Sequence, residues 1–369
     1  MGNRAIVMSK IYNLGIVGYG GMAGYHLWAL YEHCSDFIKI KGVYDVDAEH
    51  TKNAIDRAKK EFNSDIIGYS TREEMMNDDE IDIILVATTN EVHKEIAIDA
   101  MRHSKHVICE KPVTLSSDEL IEVMNVSKET GMVFTIDQNR RTNKDFLLAK
   151  ECIESGKLGD VYHIESRVEG SRGMPSGWRT LKRLGGGMML DWGVHLIDQI
   201  MYMHKAKVTN VFCKMFSIDY PEVDDNFHLS LTFEDGLSVL IEVATNNYIT
   251  KPRWYVLGKN GTMQINSWDC DGEIVRVIDK DNTWDEQIFM TKAGPTKTMA
   301  PRRPESLERI ALSEPDYPHQ ELYVVYKQFV DAIEGAELKI KPEEALRVMK
   351  VMEAAFKSHE TKSAIITEI

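Results

Sequence analysis

Asp191, His195 and Asp198 stand at i, i+4 and i+7 in the stretch Met188-Met189-Leu190-Asp191-Trp192-Gly193-Val194-His195-Leu196-Ile197-Asp198, directly after Gly185-Gly186-Gly187. That spacing puts three ionisable groups on one face of a helix. The remaining positions are apolar almost all the way round, the pattern of a buried helix. Ionisable groups there are costly unless they are paired or used. The stripe could be an ordinary wet face, but so apolar a surround favours a site. Its chemistry would be proton transfer, since an imidazole titrates near neutral pH. The glycines would let a ligand reach the helix start, where free N–H groups attract anions or hydroxyl oxygens.

A second set of residues points to a dinucleotide. Gly15-Ile16-Val17-Gly18-Tyr19-Gly20-Gly21-Met22-Ala23-Gly24 follows an apolar strand pattern and opens a helical one. Gly18, Gly20 and Ala23 fit the fingerprint in which glycine makes the tight turn and lets backbone approach a pyrophosphate, and a small residue permits close helix–strand packing. Gly21 and Met22 lie on the same loop. Asp45 ends the next strand pattern, 22 residues beyond Ala23, about where an acid meets the ribose 2′-hydroxyl. It could also be a turn residue or a helix cap. No Arg or Lys lies next to it to hold a 2′-phosphate, so NAD is favoured over NADP. Thr88-Thr89-Asn90 and Glu110-Lys111-Pro112 follow two further strands, at the carboxyl ends where open α/β sheets bind ligands. Lys111 is then either a cation at the mouth of the crevice or a solvated lysine. His93, on the next helix, reads first as a satisfied structural histidine. Trp178-Arg179, on a loop flanked by Gly and Pro, either offers a ring face and a guanidinium for a sugar or nicotinamide or is a packed loop anchor. Arg140 offers the same less strongly.

The elements that must position these residues fall into three groups. Leu14–Val17, Ile38–Tyr44, Ile81–Ala87, His106–Cys109 and Val133–Ile136 are apolar runs alternating with helical patterns near 22–34, 48–62, 91–103 and 116–130. Such alternation predicts βαβ units and a doubly wound parallel sheet. Beyond about residue 140 the pattern changes to a helix near 143–155, then strands at Val161–Val168, Val208–Ser217, His228–Phe233, Leu237–Val243, Trp254–Leu257 and Met263–Ile265. Turn residues such as Glu234-Asp235-Gly236 and Lys259-Asn260-Gly261 separate several of them. Residues 291–318 hold five of the ten prolines and little periodicity, as a long loop would. Two amphipathic helices close the chain, marked by Leu322 to Ile333 and by Val348 to Phe356. The predicted class is α/β, with an N-terminal Rossmann domain and a C-terminal α+β domain on an open, mostly antiparallel sheet. The predicted boundaries are 10–138, 139–318 and 319–369.

Composition narrows the partners. The chain has 369 residues, enough for two cores, and a formal net charge of -14. That balance argues against nucleic acid and an anionic membrane surface. No run of about 18 apolar residues suggests a span. Five cysteines (34, 109, 152, 213, 270) are scattered without a Cys-x-x-Cys pair, reading as reduced thiols of a cytoplasmic protein. The 19 methionines read as core filling, and no histidine spacing suggests a metal.

Taken together, Gly18 to Ala23, Thr88-Thr89-Asn90 with His93, Glu110-Lys111-Pro112, Asn139-Arg140-Arg141, Gly185 to Asp198 and the C-terminal helix pair resemble the glucose–fructose oxidoreductase / inositol dehydrogenase (Gfo/Idh/MocA) family across nearly the whole chain. Thr89 stands where many members carry proline. The resemblance implies a nicotinamide cofactor between the domains, with Thr88, Asn90, His93, Glu110 and Lys111 near it. It implies catalytic roles for Lys111 and His195, support from Asp191, and a homodimer or homotetramer. The substrate would be a sugar, glycoside or inositol oxidised at a secondary alcohol, with glycoside C3 oxidation among the possibilities. Rival readings are NAD-assisted cleavage of a glycosidic bond, a non-catalytic NAD sensor, and a plain structural protein.

Overall fold

Leu14–Val17 and Ile83–Val86 bury every residue, as strands do in a parallel sheet covered on both faces. The computed structural model describes residues 10–279, 288–296, 302–316 and 321–369. Its first unit runs β1 (Tyr12–Val17), α1 (Gly21–His33), β2 (Ile38–Tyr44), α2 (Ala48–Phe62), β3 (Ile67–Gly68), α3 (Arg72–Met76), β4 (Ile83–Val86), α4 (His93–Arg102), β5 (His106–Cys109), α5 (Ser117–Thr130) and β6 (Phe134–Ile136). The strands are parallel in the order β3-β2-β1-β4-β5-β6, the doubly wound arrangement. Local signals set the helix ends. Ser116 accepts from Glu119 N, and Gly131 terminates α5 in the left-handed region at φ 71°.

The second unit comprises α6 (Lys144–Glu154), β7 (Val161–Glu169), a π-helical turn (Met189–Gly193) continuing into α7 (Val194–Met203), β8 (Val208–Phe216), β9 (Asn226–Phe233), β10 (Ser238–Ala244), β11 (Trp254–Gly258), β12 (Gly261–Ile265), β13 (Gly272–Val277), the hairpin β14 (Phe289–Thr291) and β15 (Gly294–Thr296), and β16 (Leu307–Leu312). Then follow α8 (Glu321–Ile333), α9 (Pro342–Thr361) and β17 (Ile365–Ile366). Nine strands pair in the order β16-β13-β12-β11-β7-β10-β9-β8-β17. Among the described residues β7 and β10 are the parallel pair, and the remaining pairs are antiparallel. Helix α9 packs on β8 and α7 and also reaches α5. Helix α8 instead buries Leu322, Val325, Tyr326 and Phe329 with Leu27 and Leu30 of α1.

Several elements escaped the sequence pattern. β3 and α3 are too short to show a period. β13 is interrupted by charge, and β16 is a half-exposed edge strand hidden among prolines. The stretch 291–318 is therefore not one loop: it contains β15 and β16, while 297–301 and 317–318 lie outside the described residues. All five cysteines are free and buried, and no described helix is long and apolar enough to cross a membrane.

Candidate active site

The glycine loop leaves β1 at Gly18, whose φ of 90° suits glycine. A Cβ there would lie 2.6 Å from the Ala87 carbonyl oxygen, so the turn packs directly against the end of β4. Beside Gly20 and Gly21 a Cβ would meet open space. No side chain caps α1 at Gly20, and its first turn carries no acid. First-turn N–H groups are thus left without a side-chain acceptor, the arrangement that attracts an anion. Ala23 is fully buried against the sheet, and Met22 is part-exposed at the cleft. Asp45, at the end of β2, accepts from Tyr19 N at 2.6 Å and from Asp47 N at 2.8 Å. Its carboxylate is thereby aimed beside the loop, with His50 at 3.5 Å.

The strand-end residues divide. Lys111 enters a cleft of about 360 Å³ between the two sheets; its peptide bond to Pro112 is cis. Thr88 packs its methyl against Gly18. Asn90 is buried, and its Nδ2 donates to Gly185 O at 2.9 Å, tying the first unit to the second. Glu110 and His93 sit elsewhere than expected. Glu110 turns inward to His26 Nε2 at 2.8 Å and accepts from Lys111 N. His93 is fully buried with Nδ1 2.9 Å from Pro112 O and Nε2 3.2 Å from Thr88 O. Both side chains brace the loops at the strand ends through these internal partners.

The predicted chemical helix is buried, yet its start is not open. Asp224 fills it: Met188 N donates to the Asp224 carbonyl, and Met189 N to its Oδ2 at 2.7 Å. The glycine triplet serves close packing, since a Cβ on Gly186 would fall 2.4 Å from Arg179 O and one on Gly187 2.3 Å from Asp224 Oδ1. A ligand anion cannot share that position with a carboxylate. Asp198 also leaves the expected trio. It takes a two-pronged ion pair from Arg141 at 2.6 and 2.7 Å, an internal brace extended by Glu344.

Asp191 and His195 remain and both line the cleft. Lys111 Nζ donates to Asp191 Oδ1 at 3.0 Å and to its carbonyl at 2.9 Å, and Arg179 Nε donates to Oδ2 at 2.7 Å. Burial would raise the Asp191 carboxyl, but Lys111 and Arg179 outweigh it and hold the group below the usual carboxylate range. His195 is buried, and its Nδ1 has no hydrogen-bond partner among the described residues. Burial first, then the charges of Lys111, Arg140 and Arg253, hold its imidazole well below 6.5. Arg140 lines the cleft with its guanidinium 4.9 Å from the Trp192 ring. Trp178 does not line it; its ring lies 4.6 Å from the Arg179 guanidinium.

Sequence reasoning missed Asn139, Trp192 and Thr245 as lining residues. Trp192 lay inside the singled-out helix, and Asn139 adjoined Arg140. Thr245, just past β10, carried no signal. It also missed a buried grouping in which His26, Glu110 and Asp137 bring ligand-type atoms within 4.8 Å of one another. Their spacing along the chain gives no hint of it. The His26 ring is engaged on its other side by the Tyr326 hydroxyl at 2.8 Å.

Comparison with known proteins gives this arrangement a context. Residues 12–138 match the model for the oxidoreductase family with an NAD-binding Rossmann fold, and residues 146–264 match the GFO/IDH/MocA C-terminal domain. The crystal structure of an NAD-binding protein from Listeria innocua superposes with a TM-score of 0.89 at 38% identity, covering 97% of this chain and 100% of that one. An uncharacterized oxidoreductase of Schizosaccharomyces pombe is 31% identical over 316 residues, 81% of this chain and 85% of the relative. A scyllo-inositol 2-dehydrogenase (NADP(+)) of Bacillus subtilis is 28% identical over 307 residues, 80% of this chain and 82% of the relative. A fingerprint loop on a parallel sheet, a second sheet closing a cleft over it, and these matches along both units lead to one conclusion: the chain belongs to the Gfo/Idh/MocA family of nicotinamide-dependent oxidoreductases.

Proposed function

We propose that the protein oxidises a secondary alcohol of a sugar, glycoside or inositol with NAD, using Lys111 and His195 for the proton chemistry. One observation carries this reading: Lys111 from the first sheet and Asp191 and His195 from the second unit converge on one cleft at the carboxyl ends of the parallel strands. Gly18, Gly20, Gly21 and Ala23 would seat a pyrophosphate, and Asp45 the adenosine ribose. A carboxylate at Asp45 suits ribose hydroxyls and repels a 2′-phosphate, which supports NAD although the Bacillus relative is named for NADP(+). When bound, the nicotinamide supplies the two-electron acceptor for the carbinol carbon.

The remaining work belongs to the chain. His195, neutral because of its burial and its cationic neighbours, takes the alcohol proton. Lys111 donates to the same oxygen and stabilises negative charge as it develops. Asp191 keeps the lysine ammonium in place and, held ionised, can accept from a neighbouring hydroxyl. Among the described residues no hydrogen bond links it to His195 Nδ1, and the His195 ring packs instead against Trp192, 5.9 Å between ring centroids. On β8 Phe212 is exposed between buried Val211 and Cys213, and an apolar side chain on the outer face of the nine-stranded sheet supports assembly into a dimer or tetramer.

The test is reduction of NAD, with NADP beside it, by a panel of hexoses, inositols and glycosides. We expect reduced nicotinamide from at least one polyol, with NAD preferred. Silence across the panel despite bound NAD would overturn the dehydrogenase reading. Aglycone release without net reduction would replace it with redox-assisted cleavage.

A further inference from the structure

Four cations charge the cleft: Lys111, Arg179 and Arg140 line it, and Arg253 lies within electrostatic reach of His195. Three have carboxylate partners. Asp191 takes both Lys111 and Arg179. Asp145, already holding Trp254 Nε1, lies 3.2 Å from Arg253. The other acid lining the cleft, Glu169, is taken by Lys251, through its main-chain N–H at 3.0 Å and its ammonium at 3.6 Å. Arg140 is left over. Its Nη1 donates to the neutral Asn143 Oδ1 at 3.1 Å, and its buried Nε has no hydrogen-bond partner among the described residues. The rings of Trp192 and Trp268 lie 4.9 and 5.7 Å from its guanidinium.

A guanidinium stays charged and offers five donors in a fixed fork. Beside two tryptophans it is held by ring faces that attract the cation without satisfying its N–H edges. Leaving such donors unmatched in a partly dry site is costly, so the site is built for an incoming acceptor. The phosphates of a dinucleotide do not supply it. They belong at the glycine loop after β1, whereas Arg140 follows β6, three strand spacings away in this sheet, or about 14 Å.

We propose that the substrate is a polyhydroxy carboxylate, a sugar acid, whose carboxylate docks on Arg140 while its carbinol lies between Lys111 and His195. This rests on the dehydrogenase reading above and adds the substrate's charge. The planar fork matches a carboxylate through two parallel hydrogen bonds. The same anion offsets the positive field around His195, so substrate charge and site charge are complementary.

The experiment compares methyl glucuronoside and methyl galacturonoside with their methyl esters and with the parent methyl glycosides. It measures equilibrium binding to the NAD-loaded protein and kcat/KM side by side. At least one acid should bind and react about 10- to 100-fold better than its ester, the worth of a hydrogen-bonded charge pair. Arg140→Gln should abolish that ratio and Arg140→Lys should keep part of it, with circular dichroism showing both variants folded. Esters or parent glycosides binding as well as the acids would overturn the proposal, as would a preference that survives Arg140→Gln. An acid preference in binding without turnover of any compound would sustain the anion site and sink the dehydrogenase reading.

Discussion

His195 owes its protonation state to what surrounds it rather than to any hydrogen bond on its ring. Burial disfavours its charged form, and Lys111, Arg140 and Arg253 add positive potential. The sign of the consequence is fixed: a base works unprotonated, and a lowered pKa keeps it unprotonated to more acidic pH. The acid limb of kcat/KM should therefore lie below pH 6.5, the ordinary imidazole value. His195→Ala should cut turnover by roughly 10²–10⁴-fold with NAD binding intact. Turnover close to wild type in that variant, or an acid limb at or above the ordinary imidazole value, would assign the proton to another group. Asp191 stands in the opposite regime, drawn ionised by two cations, which suits it to anchoring rather than to proton transfer.

At the scale of elements, the π-helical turn at Met189–Gly193 carries Asp191 and runs directly into α7, which carries His195, and both residues line the cleft. An i→i+5 turn widens the helix locally and shifts the phase of everything after it. Asp224 pins its start by accepting from Met189 N while buried, and that burial pushes its own carboxyl up to about 7. Asp224→Ala removes the acceptor and leaves a buried donor unmatched. A loss of about 1–2 kcal/mol in stability is expected, read from the urea midpoint. Because the turn carries Asp191, kcat should fall with little change in NAD affinity. An unchanged midpoint would show that the turn holds itself without this contact.

Across the molecule, His26 joins elements that the chain keeps far apart. It sits on α1 and meets Glu110 after β5, Asp137 after β6, and Tyr326 on α8. Burial would lower its pKa, but hydrogen bonds to Asp137 and Glu110 prevail and push it up to about 10. A raised folded-state pKa gives stability that is fully present below 6.5 and is lost as pH rises through about 10. Thermal melts on either side of that window should show the loss. His26→Gln should lower stability by about 3–5 kcal/mol at neutral pH, as when one partner of a buried ion pair is removed, and should flatten the alkaline decline. Equal alkaline sensitivity in both proteins would place the titrating group elsewhere.

The sequence by itself determined what is local. Gly18 is legible because the tight turn after β1 needs φ 90°, and α5 because Ser116 and Gly131 cap it within its own turns. The apolar runs of the first sheet are legible because both their faces are covered. Only the tertiary structure decided which charges meet. Lys111 finds Asp191 across 80 residues, whereas Asp198, three residues after His195, is drawn to Arg141 instead. Glu110 and His93 sit beside a cofactor motif yet point into the protein. Caps and turns are fixed by neighbours in the chain. Ion pairs are fixed by packing, and here also by a π-turn that an assumed 3.6-residue period does not anticipate.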